Sequence, residues 1–218
     1  MTEETFTPAL GRAGPTSAYD RAIRFWTREG RWRPLFVKQI DPRPSERILD
    51  VGCGTGTLAV LLKRRMPSCE IVGLDPDPQI LELAREKARS AGVAIDFRQG
   101  FARDANTLGG TGYDKVVSSL VFHQTPMAEK SVGLRSMAAA AKATGELHVA
   151  DYAEQRSWLM RRLFRIVQNI DGFENTQANA DGALSRLLGE ISNDVRIENV
   201  VPTPTGAITL FRATLGVD

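Results

Sequence analysis

Three glycines at alternate positions follow an apolar run in the segment Ile48-Leu49-Asp50-Val51-Gly52-Cys53-Gly54-Thr55-Gly56. A strand that leads through such a loop into a helix lets a nucleotide approach the backbone closely, because glycine has no side chain and tolerates positive φ. Thr57 stands where the dinucleotide pattern G-x-G-x-x-G has its last glycine. Asp50 is a poor neighbour for a pyrophosphate and suits a ligand with a positive end. S-adenosylmethionine fits that description, since it carries an ammonium and a sulfonium group and no phosphate.

A second carboxylate ends the next apolar run, Gly73-Leu74-Asp75-Pro76-Asp77, nineteen residues after Gly56. An acidic side chain at the carboxyl end of the second strand can accept hydrogen bonds from both ribose hydroxyls of a nucleoside. The alternative is that Asp75 and Asp77 only begin the following helix, as acidic residues often do. We favour the ribose role for Asp75 and leave both interpretations open for Asp77.

The chain resembles the class I S-adenosylmethionine-dependent methyltransferases over roughly residues 19–152. Asp50 to Gly56 matches the first motif of that family, and the strand ending in Asp75 matches its ribose-binding motif. Tyr113-Asp114-Lys115-Val116-Val117-Ser118-Ser119-Leu120 looks like the fourth-strand motif. The resemblance implies a Rossmann-like, doubly wound αβα fold whose seven-stranded sheet is mostly parallel with an antiparallel last strand.

Within the family, the closest likeness is to the quinone-biosynthesis and related small-molecule enzymes. It rests on Tyr19-Asp20 and Trp26 before the core and on Phe122-His123 after the fourth strand. The resemblance implies that Tyr19 and Trp26 fold over the methionine end of the cofactor, while the backbone at Gly52 and Ser118 touches it. The candidate cofactor-binding residues are Tyr19, Trp26, Asp50, Gly52, Cys53, Gly54, Gly56, Thr57, Asp75, Pro76, Gly100, Phe101, Ala102, Ser118 and His123.

Three positions depart from the family pattern. Phe101 stands where an acid commonly contacts the adenine amino group, although its ring can pack against the base and Asp104 lies nearby. Residues 141–145 replace a common Lys-Pro-Gly-Gly turn, and Gln124 replaces a frequent second histidine. These changes affect a turn and the pocket, and leave the glycine loop intact.

Methyl transfer from a sulfonium is a direct displacement, so the protein mainly aligns the reactants and excludes water. His123 is the candidate general base, because its ordinary pKa is near neutrality and it follows a central strand. The alternative is that His123 contacts the cofactor or packs under the loop. Asp151, after the fifth strand, is a candidate for orienting the acceptor, or it caps the following helix.

Composition narrows the acceptor and the setting. The net charge of +2 gives no basic excess for nucleic acid, and the sequence lacks an Asn-Pro-Pro-Tyr motif. Cys53 and Cys69 fit no zinc pattern or disulfide scaffold, so we expect no metal site. We also expect the protein to reside in the reducing environment of the cytoplasm. The first ten residues contain no apolar run, so we expect no signal peptide. We expect a small-molecule or lipid-like acceptor, S-adenosylhomocysteine as the product, and a monomer or homodimer.

The elements that must position these residues alternate between strand and helix patterns, which is typical of a parallel sheet covered on both faces. The predicted strands are 47–51, 70–74, 94–98, 115–120 and 146–150, with a terminal hairpin of 194–200 and 207–214. The predicted helices are 57–65, 78–90, 126–142, 158–170 and 180–190. Residues 17–40 are expected to form two helices broken near Gly30 and Pro34.

One domain is expected, because 218 residues bury one full core. It divides into an N-terminal arm (1–16), a helical cap (17–42), a cofactor-binding core (43–152), and acceptor-side helices with the hairpin (153–218). In the segment 158–170, the apolar positions 159, 163, 166, 167 and 170 share one face among arginines. Such a helix either turns that face to the core or lies on an anionic membrane surface.

Two other classes compete with a methyltransferase. A non-catalytic module that binds S-adenosylmethionine would explain Phe101 and the altered turn. An NAD(P)-dependent reductase is disfavoured by Asp50 and Thr57.

Overall fold

A seven-stranded sheet forms the centre of the molecule. The computed structural model describes residues 27–216, so Tyr19, Trp26 and most of the predicted first helix lie outside the described residues. The strands are β1 (Arg47–Val51), β2 (Glu70–Asp75), β3 (Asp96–Gln99), β4 (Tyr113–Ser119), β5 (Ala141–Tyr152), β6 (Asp194–Thr203) and β7 (Gly206–Thr214). Their order in the sheet is β3-β2-β1-β4-β5-β7-β6.

Seven helices connect and cover these strands in the described part of the chain. They are α1 (Glu29–Ile40), α2 (Thr57–Arg65), α3 (Pro78–Ser90), α4 (Met127–Ala140), α5 (Trp158–Asp171), α6 (Phe173–Ala180) and α7 (Ala183–Gly189). Short 3₁₀ turns at Ala102–Asp104 and Phe122–Gln124 follow β3 and β4.

The expected sheet is confirmed. β1 pairs in parallel with β2 and β4, and further parallel pairing adds β3 and β5 at the two sides. β7 is antiparallel to both β5 and β6, so the terminal hairpin is present. Strand β1 and helices α2 and α3 have the predicted bounds, because local signals set them. The glycine loop ends β1 and precedes α2, and Asp77 followed by Pro78 begins α3.

The predicted break at Pro34 is wrong, since α1 runs through it, whereas α1 does begin at Glu29, next to Gly30, after Arg28 with a φ of 49°. Proline within a helix removes one backbone hydrogen bond. The burial of Trp32, Phe36 and Ile40, which lie four residues apart on one face, offsets that loss.

Two other differences occur near the acceptor-side helices. The sequence pattern missed α6, and α7 begins at Ala183 rather than at residue 180. Residues 141–145 extend β5 instead of forming a turn before it, and the pairing with β4 shifts register there: Tyr113 pairs with Ala141, but Lys115 pairs with Glu146.

Apolar side chains cover both faces of the sheet, as a three-layer αβα fold requires. On one face, α1, α2 and α5 contribute Trp32, Leu62 and Phe164 to a buried cluster. On the other face, α4 and α7 contribute Leu134 and Leu187. Among the helices within residues 27–216, none is long and apolar enough to cross a membrane.

Candidate functional site

The glycine loop joins β1 to α2 and is bound to the end of β2, where the carbonyl of Leu74 accepts from the amide of Gly52 at 2.7 Å. Gly52, Gly54 and Gly56 have φ values of 68°, 52° and 73°, a region that favours glycine. A Cβ on Gly52 would lie 2.2 Å from Val121, whereas a Cβ on Gly54 would have no neighbour within 4 Å. Gly54 therefore borders open space, and a ligand can approach the backbone there.

Asp50 lies under this loop and is fully buried. Neither carboxylate oxygen has a hydrogen-bond partner among residues 27–216, and the amide of Ala59 stabilises the charge only weakly. Burial raises the pKa of Asp50 to about 7, the positive charge of Arg33 lowers it, and Asp75 raises it. A buried carboxylate without a donor is costly, so this position favours a cationic ligand group beside it.

Asp75 at the end of β2 faces the same loop. Its Oδ2 accepts from the amide of Gly54 at 2.9 Å, and its Oδ1 accepts from the amide of Asp77 at 3.0 Å. Burial raises the pKa of Asp75, and these two amides oppose the rise. Each carboxylate oxygen can accept a further hydrogen bond, as a ribose contact requires.

Asp77 caps α3, because its Oδ1 accepts from the amides of Gln79 at 2.9 Å and Ile80 at 3.3 Å. The helix-starting interpretation therefore holds for Asp77. It does not hold for Asp75, whose carboxylate bonds to the glycine loop rather than to the first turn of the helix.

The segment after β3 lies beside the end of β2. The amide of Gly100 donates to the carbonyl of Asp75 at 3.1 Å, and the carbonyl of Pro76 accepts from Gln99 at 3.1 Å. Asp104 accepts from the amide of Phe101 at 3.0 Å. The carboxylate of Asp104 is thus already bonded to the backbone at the position that departs from the family.

Around Phe101, the guanidinium of Arg103 lies 4.3 Å from the centre of the aromatic ring. Ala102 packs at the edge of the core formed with α4. One side of the Phe101 ring is therefore covered by a cation, and stacking on a base is restricted to its other side and its edge.

Three other candidate residues, Cys53, Thr57 and Ser118, lie in or beside the loop. Cys53 packs among Val60, Leu81 and Phe97, and burial raises the pKa of its thiol, so the thiol is neutral. Thr57 accepts from Nζ of Lys87 at 2.7 Å, which ties the loop to α3. The hydroxyl of Ser118, at the end of β4, is fully buried and has no partner in the part of the chain described.

Asp151 at the end of β5 holds the segment that follows β4. Its Oδ2 accepts from the amides of Val121 (3.1 Å), Phe122 (2.6 Å) and His123 (3.3 Å). Its Oδ1 accepts from the amide of Tyr152 and from Nδ1 of His123, both at 2.7 Å. This carboxylate has five donors and is fully buried.

His123 lies between two carboxylates. Nδ1 contacts Asp151, and Nε2 lies 3.4 Å from Oδ2 of Asp171, at the end of α5. Burial lowers the pKa of His123, but the charges of Asp151 and Asp171 outweigh it and raise the pKa to about 9. At neutral pH the ring is therefore an imidazolium that joins β5 to α5.

Lys130 adds a second link between the same parts of the fold. Its Nζ donates to the carbonyls of Phe122, Thr125 (2.6 Å) and Asn175 (2.8 Å), the last of which lies in α6. Burial lowers the pKa of Lys130 to about 8, and Asp151 opposes this. The loop after β4 is thus bonded to both α5 and α6.

Comparisons with known proteins agree with this geometry. Residues 48–145 match the model of a methyltransferase domain. The demethylmenaquinone methyltransferase of Deinococcus radiodurans is 34% identical over 137 residues, which cover 62% of this chain and 55% of the relative. The ubiquinone/menaquinone biosynthesis C-methyltransferase of Geotalea uraniireducens is 29% identical over 136 residues, covering 62% and 57%. Residues 48–145 of this chain are therefore similar to a methyltransferase domain, in agreement with the resemblance to the class I S-adenosylmethionine-dependent enzymes.

A solved structure has a similar fold. Magnesium protoporphyrin IX methyltransferase from Synechocystis PCC 6803, solved with bound S-adenosylmethionine, matches with a TM-score of 0.63 at 18% identity, over 95% of this chain and 88% of that one. The chain spans about half the length of the curated relatives it matches. In four of them, the matched segment covers 46% to 57% of the relative.

The interpretation of His123 as a general base stays a prediction, and the contacts of its two ring nitrogens with Asp151 and Asp171 disfavour it. An imidazolium whose two N–H groups face carboxylates has no lone pair to accept a proton. The alternative interpretation, that His123 packs under the loop, agrees with its burial.

The two roles predicted for Asp151 are also wrong. Its oxygens are occupied by five N–H donors, so no oxygen is directed at an acceptor. It does not cap α5 either, because Ser157 does so by accepting from the amide of Met160 at 3.1 Å. Asp151 instead fixes the loop after β4.

Sequence reasoning missed Lys130 and Asp171. Lys130 lies on the apolar face of α4 with Leu134 and Met137, and a lysine at such a spacing is a signal for a buried cation. Asp171 could not be found in this way, because its face of α5 is identified only by the packing of Phe164 and Val167.

Proposed function

We propose that this chain transfers the methyl group of S-adenosylmethionine to a small or lipid-like acceptor. The observation that supports it best is the buried, unpartnered carboxylate of Asp50 beside the open space at Gly54. A cationic amino-acid tail would pair with Asp50, and the ribose would bond to Asp75. Backbone at Gly54 allows close approach because no side chain intervenes.

When bound, S-adenosylmethionine supplies an electrophilic methyl group with a neutral thioether as the leaving group. The chain aligns the acceptor with that group and keeps water out. Such a displacement needs neither a metal nor, for an acceptor that is already nucleophilic, a general base. The loop after β4, fixed by Asp151 and Lys130, forms the acceptor side of the site.

The acceptor class is drawn from the relatives. Two of them are named for demethylmenaquinone methylation and for ubiquinone and menaquinone biosynthesis, so their names point to quinone-related acceptors. We infer an acceptor of that kind, and a reducing cytoplasmic setting in which Cys53 and Cys69, both buried and unbridged, stay reduced.

The experiment uses the full chain, S-adenosylmethionine with a labelled methyl group, and a lipid extract fractionated by polarity. We expect label in the apolar fractions only when protein is present. The matched variants are Asp50→Asn, which removes the negative charge in the site, and Asp96→Asn, which alters an exposed carboxylate paired with Arg98.

Loss of transfer in Asp50→Asn with retention in Asp96→Asn supports the proposal. Cofactor binding without transfer to any fraction would instead support the non-catalytic module. Absence of binding to S-adenosylhomocysteine by calorimetry would contradict both.

A further inference from the structure

Helix α5 exposes apolar side chains that the domain core does not use. We call Trp158, Leu159, Ile166, Ile170 and Phe173 the α5 stripe. Trp158 is 73% exposed, Ile170 is 75% exposed, and Phe173, just beyond the helix, is 63% exposed. At about 100° per residue, Leu159, Ile166 and Ile170 lie along one line of the helix.

The stripe is separate from the face by which α5 packs on the sheet. Phe164, Val167 and Gln168 are buried; Phe164 and Gln168 lie on the side of the helix away from the stripe, and Val167 lies between the two faces. The sequence pattern grouped position 167 with 159, 166 and 170, but only Val167 of these is buried. The helix therefore has two apolar faces, and an exposed patch of this kind marks an interaction surface.

Two arginines flank the stripe. Arg162 and Arg165 are exposed and form no ion pair with any residue in the range 27–216, whereas Arg161 pairs with Asp181 at 2.8 Å. Asp171, the only acid of α5, faces inward to His123. Glu174 is the nearest exposed acid after the helix. The outward charge of α5 itself is thus positive.

We propose that the α5 stripe, with Arg162 and Arg165, docks on the surface of an anionic lipid membrane. Apolar side chains would enter the boundary between headgroups and acyl chains, and the arginines would contact lipid phosphates. Trp158 suits that boundary, because tryptophan is enriched at membrane interfaces. A symmetric dimer through the same face is disfavoured, since it would bring the arginines of two copies together.

The docking face is connected to the site. Asp171 ends α5 and contacts His123 in the loop after β4. A helix that lies on the bilayer would therefore place the acceptor side of the site next to the lipid phase. That last consequence rests on the proposed function, whereas membrane binding itself does not.

The test is flotation of the full chain with vesicles of phosphatidylcholine alone or mixed with phosphatidylglycerol. We expect flotation with the mixture, loss of it at high salt, and little with phosphatidylcholine alone. Arg162→Gln with Arg165→Gln should weaken partitioning about 30-fold, because each arginine contributes roughly 1 kcal/mol and 1.4 kcal/mol is tenfold. Ile166→Ser with Ile170→Ser should weaken binding to every vesicle.

The matched controls are Arg89→Gln on α3 and Val132→Ser on α4, an exposed arginine and an exposed apolar residue outside α5. A second readout is the emission of Trp158, which should shift to the blue on binding and be absent from Trp158→Phe. Trp32 is fully buried and should not respond.

Equal flotation of wild type and the α5 variants would overturn the proposal. An unchanged Trp158 emission would also overturn it, because another part of the chain would then cover the stripe. A dimer that is dissociated by Ile166→Ser with Ile170→Ser would overturn it as well. Calorimetry with S-adenosylhomocysteine tests the cofactor site separately, so failure of docking and failure of the proposed function are distinguished.

Discussion

Replacing His123 with glutamine tests whether the residue is a cation in the folded protein. Glutamine keeps a hydrogen-bonding side chain but removes the charge between Asp151 and Asp171. The fold raises the pKa of His123 from 6.5 to about 9. At about 1.4 kcal/mol per pKa unit, protonation of this buried ring stabilises the folded state by roughly 3 kcal/mol.

The sign of the pH dependence follows from that rise. A histidine that binds its proton more tightly when folded stabilises fully below its unfolded pKa, near 6.5, and loses this effect as the pH rises through about 9. The destabilisation by His123→Gln should therefore be larger near pH 6.5 than near pH 8 by about 1 to 2 kcal/mol.

Other groups titrate in the same range, so the comparison must be between variants. Burial lowers the pKa of Lys130 to about 8 and raises that of Asp50 to about 7, and these groups change stability with pH in opposite directions. Both are present in wild type and in His123→Gln, so their contributions largely cancel in the difference.

The measurement is denaturant unfolding of both proteins at the two pH values, followed by circular dichroism. His148→Gln is the control, because burial lowers the pKa of His148, the opposite direction to the shift of His123. A destabilisation by His123→Gln that is equal at both pH values would refute the imidazolium. Affinity for S-adenosylhomocysteine should change little, since His123 is bonded to the acceptor-side helices.

Three further expectations concern the cofactor loop. The affinity for S-adenosylhomocysteine should fall about tenfold per pH unit below about 7, because Asp50 becomes protonated there. In Asp50→Asn the affinity should be nearly independent of pH, and calorimetry across this range measures both dependences. Asp75→Ala should weaken that affinity by roughly 1 to 3 kcal/mol, and an unchanged dissociation constant would exclude the ribose contact. Gly54→Ala and Gly92→Ala should destabilise equally, since both positions have positive φ and open space, but only Gly54→Ala should lose cofactor affinity.

The cofactor half of the fold could be predicted from sequence because its signals are local. Gly52, Gly54 and Gly56 follow directly on β1, and Asp75 ends the next strand. Each of these positions is set by the backbone of parallel strands whose register follows from their apolar runs. The family resemblance added the order of the sheet, which local patterns do not contain.

The acceptor half could not be predicted in the same way. The pKa of His123 is raised first by Asp151 and then by Asp171, and Asp171 lies far along the chain and meets the ring only through the packing of α5. That packing could not be deduced from periodicity, because α5 has apolar residues on two faces. Only the fold shows that Phe164 faces the sheet and Ile170 faces outward.

The two halves are also stabilised differently, and this has a consequence for specificity. The cofactor loop depends on backbone amides and glycine conformations within residues 48–145, the range that is similar to a methyltransferase domain. Helices α5 to α7 lie outside that range; α5 is bonded to the loop after β4 through Asp171 and His123, and α6 through the carbonyl of Asn175 and Lys130. Substitutions in those helices can therefore change the acceptor without disturbing cofactor binding. We expect the choice of acceptor to depend on α5 to α7. A relative should therefore share its acceptor with this chain only where the sequences of these helices are similar.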